Sequence, residues 1–419
     1  MVALYLCYQS LFEPLTQTQV VAYLEGLALD GHRILLLTFE HRPPNVEEVR
    51  VWKETLRAKG IDWFWLRYHK RPTAPATAWD ILAGVVTGLR LVLWYRVDLV
   101  HARVHVPGLM ALALKRLTGV KLLFDIRGLM AEEYVDAGLW PAGGVLFRAV
   151  KRAERSILRA ADGVVILTNQ ARDLISEWYP LELAAKPVST IPCCVDLRRF
   201  APAERIPAPT MRALRLVYVG KAGGCYLTEE MLDFAAVARR MVPNVQVNIW
   251  TQSDPEDLRP LIEARGLEGC VHVGRVAPEQ VPAALADADA ALSFMRPCVS
   301  NAARSPTKIA EYLSAGLPVV STVGIGDVDQ LLRGDDGTGS QPIGVLIADH
   351  SEGAYGQAVT SLLDLLEDPD TPVRCRRAAI EGFDLENVGW ARYRQVYKDL
   401  DEAHAPEHAV VVTGAPPLP

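Results

Sequence analysis

The segment 300–320 contains the side chains whose types and spacing are best suited to chemistry. Arg304 and Lys308 place two positive charges around the start of a predicted helix. We expect Ser305 to cap this helix, Pro306 and Thr307 to lie in its first turn, and Gly316 to end it. Free backbone N–H groups at a helix start, together with the helix dipole, bind anions. One turn beyond Lys308, the carboxylate of Glu311 can accept hydrogen bonds from the two hydroxyls of a ribose. The segment therefore predicts sites for a phosphate and a ribose, the parts of a nucleoside diphosphate.

A simpler interpretation is that Lys308 and Glu311 form a solvated ion pair on a helix surface, which stabilises a fold very little. The combination of a helix start, two cations, a carboxylate and a following strand favours the nucleotide site. Ligands of α/β sheets bind beyond the carboxyl ends of the strands, which is where this segment is predicted to lie.

Short aliphatic runs alternate with amphipathic stretches along the whole chain. Runs that are apolar on both faces are typical of a parallel sheet covered by helices. Residues 201–213 contain three prolines and interrupt the alternation, as a linker does. The sequence therefore predicts an α/β protein of two doubly wound, parallel-sheet domains. The predicted strands are Leu4–Cys7, Ile34–Phe39, Leu99–Arg103, Lys121–Ile126, Val164–Leu167 and Ser189–Ile191, then Leu216–Val219, Val245–Trp250, Cys270–Val273, Ala290–Phe294, Pro318–Ser321 and Gly344–Ile347.

Composition narrows the class of protein. The chain has 419 residues, half of them hydrophobic, and a net charge of −6, which argues against nucleic acid as a partner. The seven cysteines include no C-x-x-C pair, so neither a disulfide framework nor a zinc site is expected. The apolar run from Ile81 to Trp94 contains Arg90 and is shorter than the ~20 residues that cross a bilayer. We expect a cytoplasmic protein without a secretory signal.

Residues 41–103 differ from the rest, with eleven Lys and Arg against six Asp and Glu and eight aromatic residues. Most of these aromatics are expected to pack the first domain. A minority, beside basic residues, suit a membrane surface or a lipid-linked ligand, so the protein is also expected to contact the inner face of the membrane as a peripheral protein.

Several segments, in order, resemble the retaining, nucleotide-sugar-dependent glycosyltransferases of family 4, which have the GT-B fold of two Rossmann-like domains facing a cleft. The strongest resemblance is that of Ser305–Val320 to the donor-binding helix of the family. The other similar segments are Leu15–Gln19 with Gly31-His32, His101–Arg103, Phe124–Gly128, Thr190–Phe200, Leu216–Lys221 and Phe383–Tyr397.

The chain departs from the family pattern at three places. Of two glutamates separated by seven residues, Glu311 is present but the first is Ala303. The glycine-rich first loop is replaced by Leu15–Gln19, so the side chains of Thr18 and Gln19 are expected to bind where backbone amides usually do. Asp125–Gly128 stands where the family has a histidine.

The resemblance implies transfer of a sugar from a UDP- or GDP-sugar to a glycan, a lipid-linked or a small-molecule acceptor, with retention at the anomeric carbon. It implies no metal and no other cofactor. Stabilising the departing diphosphate is assigned to Lys221, Arg304, Lys308 and the helix start, with Gly220 beside them. Asp125 and Arg127 are assigned to the donor sugar and the acceptor.

The expected organisation is an acceptor-binding domain at 1–200, a nucleotide-sugar-binding domain at 201–384, a helix at 385–404 that crosses back, and a flexible tail at 405–419. Two other functions remain open. A nucleotide-sugar epimerase shares the architecture, and a non-catalytic nucleotide-sugar-binding subunit would fit the loss of the glutamate at Ala303.

Overall fold

The computed structural model describes residues 1–184, 186–200, 213–334 and 341–402. Within them the chain forms two all-parallel sheets, of seven and six strands, each flanked by helices. The strands of the first are β1 (Val2–Cys7), β2 (Arg33–Glu40), β3 (Ile61–Arg67), β4 (Leu99–Arg103), β5 (Lys121–Ile126), β6 (Gly163–Ile166) and β7 (Val188–Thr190). Those of the second are β8 (Arg215–Val219), β9 (Gln246–Trp250), β10 (Val271–Gly274), β11 (Ala290–Ser293), β12 (Val319–Thr322) and β13 (Gly344–Ile347).

Helices connect the strands and cover both faces of each sheet. In the first half they are α1 (Pro14–Thr16), α2 (Ala22–Leu29), α3 (Val46–Ala58), α4 (Thr73–Tyr95), α5 (His105–Thr118), α6 (Met130–Asp136), α7 (Val145–Ala160), α8 (Asn169–Trp178) and α9 (Pro180–Leu183). In the second half they are α10 (Thr228–Met241), α11 (Arg259–Glu263), α12 (Val281–Ala286), α13 (Thr307–Ser314), α14 (Val328–Arg333), α15 (Glu352–Glu367), α16 (Thr371–Phe383) and α17 (Ala391–Glu402). Turns of π-helix, Gln17–Val21 and Leu385–Trp390, lead into α2 and α17.

The strand orders are 3-2-1-4-5-6-7 and 10-9-8-11-12-13, so the direction of winding reverses between β1 and β4 and between β8 and β11. These two switch points are where doubly wound sheets bind ligands. The prediction of two doubly wound α/β domains is confirmed, and all twelve predicted strands are present to within two residues.

Both faces of the central strands are buried, because each face packs into a different core. In β1, Leu4 and Leu6 pack into one cluster of the first sheet, while Ala3 and Tyr5 pack into the cluster on the opposite face. Such two-sided burial is typical of parallel sheets.

The sequence analysis missed β3, which pairs with β2 at the edge of the first sheet among the described strands. Only Ile61 and Trp63 of it are buried, and the Trp63 indole donates a hydrogen bond to Thr38 Oγ1 at 2.8 Å. The aromatic residues of β3 therefore pack mainly against the first sheet. Trp79 and Trp94, on α4, are instead 60% and 85% exposed.

The end of the described chain packs back onto the first sheet. Trp390 lies against Gly26 and donates a hydrogen bond to the carbonyl of Ala22, and Tyr397 of α17 is hydrogen-bonded to His101. The predicted linker at 201–213, except Ala213, and the predicted tail at 405–419 lie outside the described residues.

Candidate active site

Helix α13 follows β11, at the switch point of the second sheet, and carries the predicted donor-binding residues. It begins at Thr307, after Pro306, which occupies the N-cap position in an extended conformation. The expectation that Ser305 caps this helix is wrong. Because Pro306 takes that position, the Ser305 hydroxyl is free to accept a hydrogen bond, at 3.0 Å, from the backbone N–H of Cys193 in the segment that follows β7. The predicted end at Gly316 is confirmed by its φ of +72°.

The amine of Lys308 is buried between two aromatic rings. Its Nζ lies 4.1 Å from the ring centroid of Tyr218 and 4.3 Å from that of Tyr226, and it donates no hydrogen bond to any described residue. Gly220 makes room for it, since a Cβ there would lie 2.7 Å from Nζ. Burial lowers the pKa of Lys308 to about 7, although Glu311 partly opposes this shift. The site thus holds a desolvated cation that lacks a counter-ion in hydrogen-bond contact.

Glu311 lies one turn further along α13, half-buried and without a hydrogen bond to any residue in the described ranges. Burial raises its pKa to about 7, against the opposing charges of Arg199 and Lys308. Hydrogen bonds from neutral hydroxyl groups would stabilise a carboxylate in this partly buried environment, and the two hydroxyls of a ribose can donate them.

The other predicted residues of the second domain surround this helix start. Arg304 is half-buried, and its Nη1 lies 3.4 Å from Cys225 Sγ while its Nε has no partner in the described chain. Gly220 and Lys221 follow β8, and the Lys221 side chain is exposed. Thr307, the first residue of α13, is half-buried. The structure therefore brings the predicted diphosphate-binding residues to the ends of β8 and β11.

Asp125, predicted to act on the donor sugar or acceptor, is fully buried at the end of β5. Its Oδ2 accepts a hydrogen bond from the Tyr393 hydroxyl at 2.9 Å. Burial alone raises the pKa of Asp125, but the charge of Arg127, the neighbouring imidazole of His101 and the charge of Arg103 together outweigh it and hold the pKa at about 2. Asp125 is therefore an ionised, enclosed carboxylate, able to orient its neighbours more readily than to exchange protons with a substrate.

Arg127 and Gln19 meet at the junction of the two domains. Arg127 Nη2 donates to Gln19 Oε1 at 3.4 Å, and Gln19 Nε2 donates to the carbonyl of Cys194 at 3.0 Å. Thr18 lies apart from them, since its exposed hydroxyl donates to Pro14 O of its own helix. Thr18 and Gln19, both expected to bind ligand in place of the family's first loop, therefore point to different surroundings. Of these two residues, Gln19 is the one that contacts Arg127.

Polar contacts cross the cleft close to the site. Asp327 of the second domain accepts hydrogen bonds from the backbone N–H groups of Asn169 and Gln170, at 2.7 and 3.1 Å, at the start of α8. The Thr168 hydroxyl donates to Ala302 O at 2.7 Å. Ala303, in place of the family's first glutamate, is 2% exposed and packs into a core cluster of the first domain.

Sequence reasoning missed the roles of Tyr218 and Tyr226 around Lys308, and of Tyr393 beside Asp125. Tyr218 precedes Gly220 in the sequence and Tyr226 follows it. Aromatic residues on both sides of this glycine were the available sequence signal for rings around the site. Tyr393 is separated from Asp125 by more than two hundred residues, so only the return of α17 to the first sheet reveals the contact.

Comparison with known proteins agrees with this geometry. Residues 16–194 match the sequence profile of the glycosyl transferase 4-like domain, and residues 213–365 match that of glycosyl transferases group 1. A search of curated proteins finds no match.

Solved structures share the whole fold. Sucrose-phosphate synthase from Thermosynechococcus elongatus superposes with a TM-score of 0.72 at 16% identity, over 96% of this chain and all of that one. HepE of Anabaena, in complex with UDP, gives a TM-score of 0.67 at 14% identity over 96% of this chain and 100% of that chain. WaaG, a glycosyltransferase involved in lipopolysaccharide biosynthesis, gives 0.61 at 16% identity over 97% and 100%.

Two doubly wound, parallel-sheet domains of this kind are the GT-B architecture. The two profile matches together cover more than three quarters of the chain. The chain belongs to the GT-B glycosyltransferases, with a glycosyl transferase 4-like first domain and a group 1 second domain, and is a transferase of glycosyl groups.

Proposed function

We propose that the protein transfers a sugar from a UDP- or GDP-sugar to a glycan, lipid-linked or small-molecule acceptor, with retention at the anomeric carbon and without a metal ion. The observation that carries the donor assignment is the pair on α13. Within the described ranges, a buried amine without a hydrogen bond and a half-buried carboxylate without one lie a single helical turn apart, and they match a diphosphate and a ribose. HepE in complex with UDP and with UDP-glucose, on the same fold, supports a UDP-sugar.

In the proposed reaction the bond from the anomeric carbon to the diphosphate breaks, and negative charge grows on the departing phosphate. Lys308, Arg304 and the N–H groups at the start of α13 stabilise that charge from fixed positions. The approach of the diphosphate favours the protonated form of Lys308 and reverses the effect of burial on its pKa. Retention and the passage of the acceptor's proton towards the departing phosphate rest on the resemblance to family 4.

A panel of UDP- and GDP-sugars, with and without candidate acceptors, tests this function. A glycosyltransferase releases the nucleoside diphosphate and gives a glycosylated product only when the acceptor is present. An epimerase gives an isomer of the donor, and a non-catalytic subunit binds the donor unchanged, so either of these results contradicts the proposal. Turnover in excess EDTA tests the proposed independence of metal, and NMR of the product's anomeric proton tests retention.

We also propose that the protein sits on the inner face of a membrane through α4. The helix extends for 23 residues, so the expectation from the sequence that this apolar segment is too short to cross a bilayer is wrong by length and composition. A third of its most apolar stretch is nevertheless buried in the fold. Its inner face carries Gly84 and Gly88 packed against α5, and Asp80, fully buried, accepts a hydrogen bond from Tyr8 at 2.7 Å. A helix held in this way favours lying along the membrane surface over crossing it.

The outer face of α4 supports this proposal. It exposes a stripe of large apolar residues: Trp79, Leu82, Val86, Leu93 and Trp94. Exposed cations flank the stripe: Lys70, Arg71, Arg90 and Arg96. Apolar side chains beside basic ones match an anionic lipid surface.

Sedimentation with vesicles tests this surface. The protein should pellet with vesicles containing phosphatidylglycerol and much less with pure phosphatidylcholine. The double variant Trp79→Gln, Leu82→Gln should remain in the supernatant, whereas Leu181→Gln, at an exposed leucine of α9, should pellet like the parent. Equal sedimentation of all three proteins would contradict the assignment to α4.

A further inference from the structure

Arg103 is a buried arginine at the switch point of the first sheet. It ends β4, where it lies in register with Cys7 at the end of β1 and with Asp125 near the end of β5. Its side chain is only 7% exposed. The carboxyl ends of β1 and β4 form the crevice in which a sheet of this winding binds its ligand.

The guanidinium of Arg103 donates no hydrogen bond to any residue in the described ranges. Its closest ionic partner is Asp125 Oδ2, at 3.9 Å, which is too far for a hydrogen bond. That oxygen already accepts from Tyr393 at 2.9 Å. A buried arginine with no hydrogen bond destabilises the fold, and completion by a ligand is one explanation for such a group in a natural protein.

Arg127 is in a similar condition beside it. Its Nε and Nη1 have no hydrogen-bond partner in the part of the chain that the structure describes, and Nη1 lies 3.7 Å from Asp125 Oδ1. Only Nη2 is engaged, with Gln19 and Cys193 at 3.4 and 3.8 Å. Two arginines therefore share one carboxylate without a hydrogen bond to it.

The nearby side chains of His101, Cys7 and Glu40 make no hydrogen bond to Arg103 or Arg127 in the described ranges. Burial lowers the pKa of His101 and raises that of Cys7 to about 11, so both are neutral at pH 7. Glu40, near Cys7, accepts hydrogen bonds from Ser10, Leu11 and Thr38, and none from either arginine. The cluster of Arg103, Arg127 and Asp125 thus has a net charge of +1 in a protein whose overall net charge is −6.

We propose that Arg103 and Arg127 bind an anionic group of the acceptor, a phosphate or a carboxylate, at the floor of the first domain's crevice. The inference rests on the proposed function, because it specifies the acceptor of that same reaction. The diphosphate of the donor has its own cations, Arg304 and Lys308, on the other sheet. A guanidinium with free N–H groups presents a planar fork that matches either oxyanion.

Isothermal titration of the UDP-saturated protein tests this site with three probes: a hexose 6-phosphate, a hexuronate and the neutral hexose. Saturation with UDP keeps phosphate probes away from Lys308. At least one charged probe should bind ten times more tightly than the neutral hexose. Whether the hexose 6-phosphate, the hexuronate or both bind shows which anionic group the site recognises.

Arg103→Gln should weaken binding of the preferred probe at least tenfold while leaving the dissociation constant of UDP within twofold. Arg103→Lys, which keeps the charge but loses the fork, should lie between Arg103→Gln and the parent. Arg152→Gln, at an exposed arginine of α7, is the matched control and should bind like the parent.

A thermal readout separates a binding role from a structural one. Without ligand, Arg103→Gln should unfold at the same temperature as the parent or higher, because it removes a buried charge that lacks a hydrogen bond. A lower unfolding temperature, or equal binding of the charged and neutral probes to the UDP-loaded protein, overturns the inference. Failure to bind UDP would instead contradict the donor site, so the two failures are distinguishable.

Discussion

At the scale of single residues, the site is built from charges that the fold leaves incompletely satisfied. Lys308 has aromatic rings where a lysine usually has water or an acid, and Glu311 has no donor within the described chain. Both carry a pKa displaced towards the neutral form by burial. Such displaced values are concentrated at functional sites, because a ligand can recover the free energy that folding gave up.

The pKa of Lys308 predicts how stability depends on pH. Because its value in the folded state, about 7, lies below that of an unfolded lysine, about 10.4, the unfolded chain binds more protons between these values. The Lys308 contribution to the free energy of unfolding therefore rises with pH across that window. Lys308→Met should stabilise the ligand-free protein by ~2–4 kcal/mol at pH 6, and the gain should vanish near pH 10.

Denaturant unfolding of the parent and Lys308→Met at pH 6, 8 and 10 measures this difference. Lys398→Met, at an exposed lysine of α17, is the control and should show no such trend. Glu311 acts in the opposite direction, since its raised pKa makes its own contribution fall as pH rises from about 4.5 to 7. Parallel pH profiles for the parent and Lys308→Met would show that the amine is not desolvated.

Glu311 predicts recognition of the ribose. If its carboxylate accepts hydrogen bonds from both ribose hydroxyls, the parent should bind UDP at least tenfold more tightly than 2′-deoxy-UDP. Glu311→Gln should lose most of this preference, because each hydrogen bond to a charged group contributes about 1.5–3 kcal/mol. Titration of the two nucleotides into the parent, Glu311→Gln and the exposed control Glu367→Gln gives the answer. An unchanged preference for UDP over 2′-deoxy-UDP in Glu311→Gln would show that the ribose binds elsewhere.

At the scale of elements, the sequence predicts central strands better than edges and caps. A central strand such as β1 is recognisable because burial on both faces makes its positions apolar. The edge strand β3 was missed because its half-exposed aromatic residues do not show that pattern. Ser305 looked like a cap because its type and place suited one, but the helix begins two residues later.

The same limit applies to the candidate site. The residues of α13 could be predicted because one continuous segment carries the helix start, the cations and the carboxylate. The environment of Asp125 could not, because Tyr393 reaches it from the far end of the chain. Contacts set by tertiary folding leave no local pattern in the sequence.

Helix α8 provides a prediction about closure of the cleft. Its own N-cap, Thr168, accepts a hydrogen bond from Ala171, while Asp327 of the other domain accepts from the first two N–H groups. Asp327→Asn should weaken this contact by about 1 kcal/mol, or roughly fivefold in the balance between closed and open forms. The KM for the donor should rise several-fold, and small-angle scattering should give a larger radius of gyration with UDP bound.

Asp173→Asn is the matched control, since Asp173 is an exposed carboxylate of the same helix that does not reach the second domain. It should leave both the KM and the radius of gyration unchanged. Identical behaviour of Asp327→Asn and Asp173→Asn would mean that the contact does not influence closure.

At the scale of the whole molecule, two switch points face one cleft, and the chain passes between the domains more than once. After leaving the first domain near Phe200 and forming the second sheet, it returns at Leu385 to pack α17 against the first sheet. The donor residues of one sheet and the arginines of the other are therefore positioned by domains joined at both ends of the second. Relative motion of the two domains, the default expectation for such an interface, would change the width of the cleft.

The position of α17 predicts which of the two domains needs this helix for its stability. Tyr393, Val396, Tyr397 and Leu400 pack into the same core cluster as residues of β1 and β4, so α17 completes the first domain although it follows the second. Tyr397 is fully buried and is hydrogen-bonded to His101 at 3.0 Å. Tyr397→Ala should therefore destabilise the first domain by ~3–5 kcal/mol and leave the second nearly intact.

Hydrogen exchange read by mass spectrometry measures the two domains separately. In Tyr397→Ala, peptides covering β1 and β4 should lose protection while those covering β8 and β11 keep it. Tyr355→Ala, at an equally buried tyrosine in the core of the second sheet, should give the reverse pattern. UDP should still protect the α13 peptide in Tyr397→Ala, since its binding residues belong to the second domain. Loss of protection in β8 and β11 would mean instead that the two domains unfold as one cooperative unit.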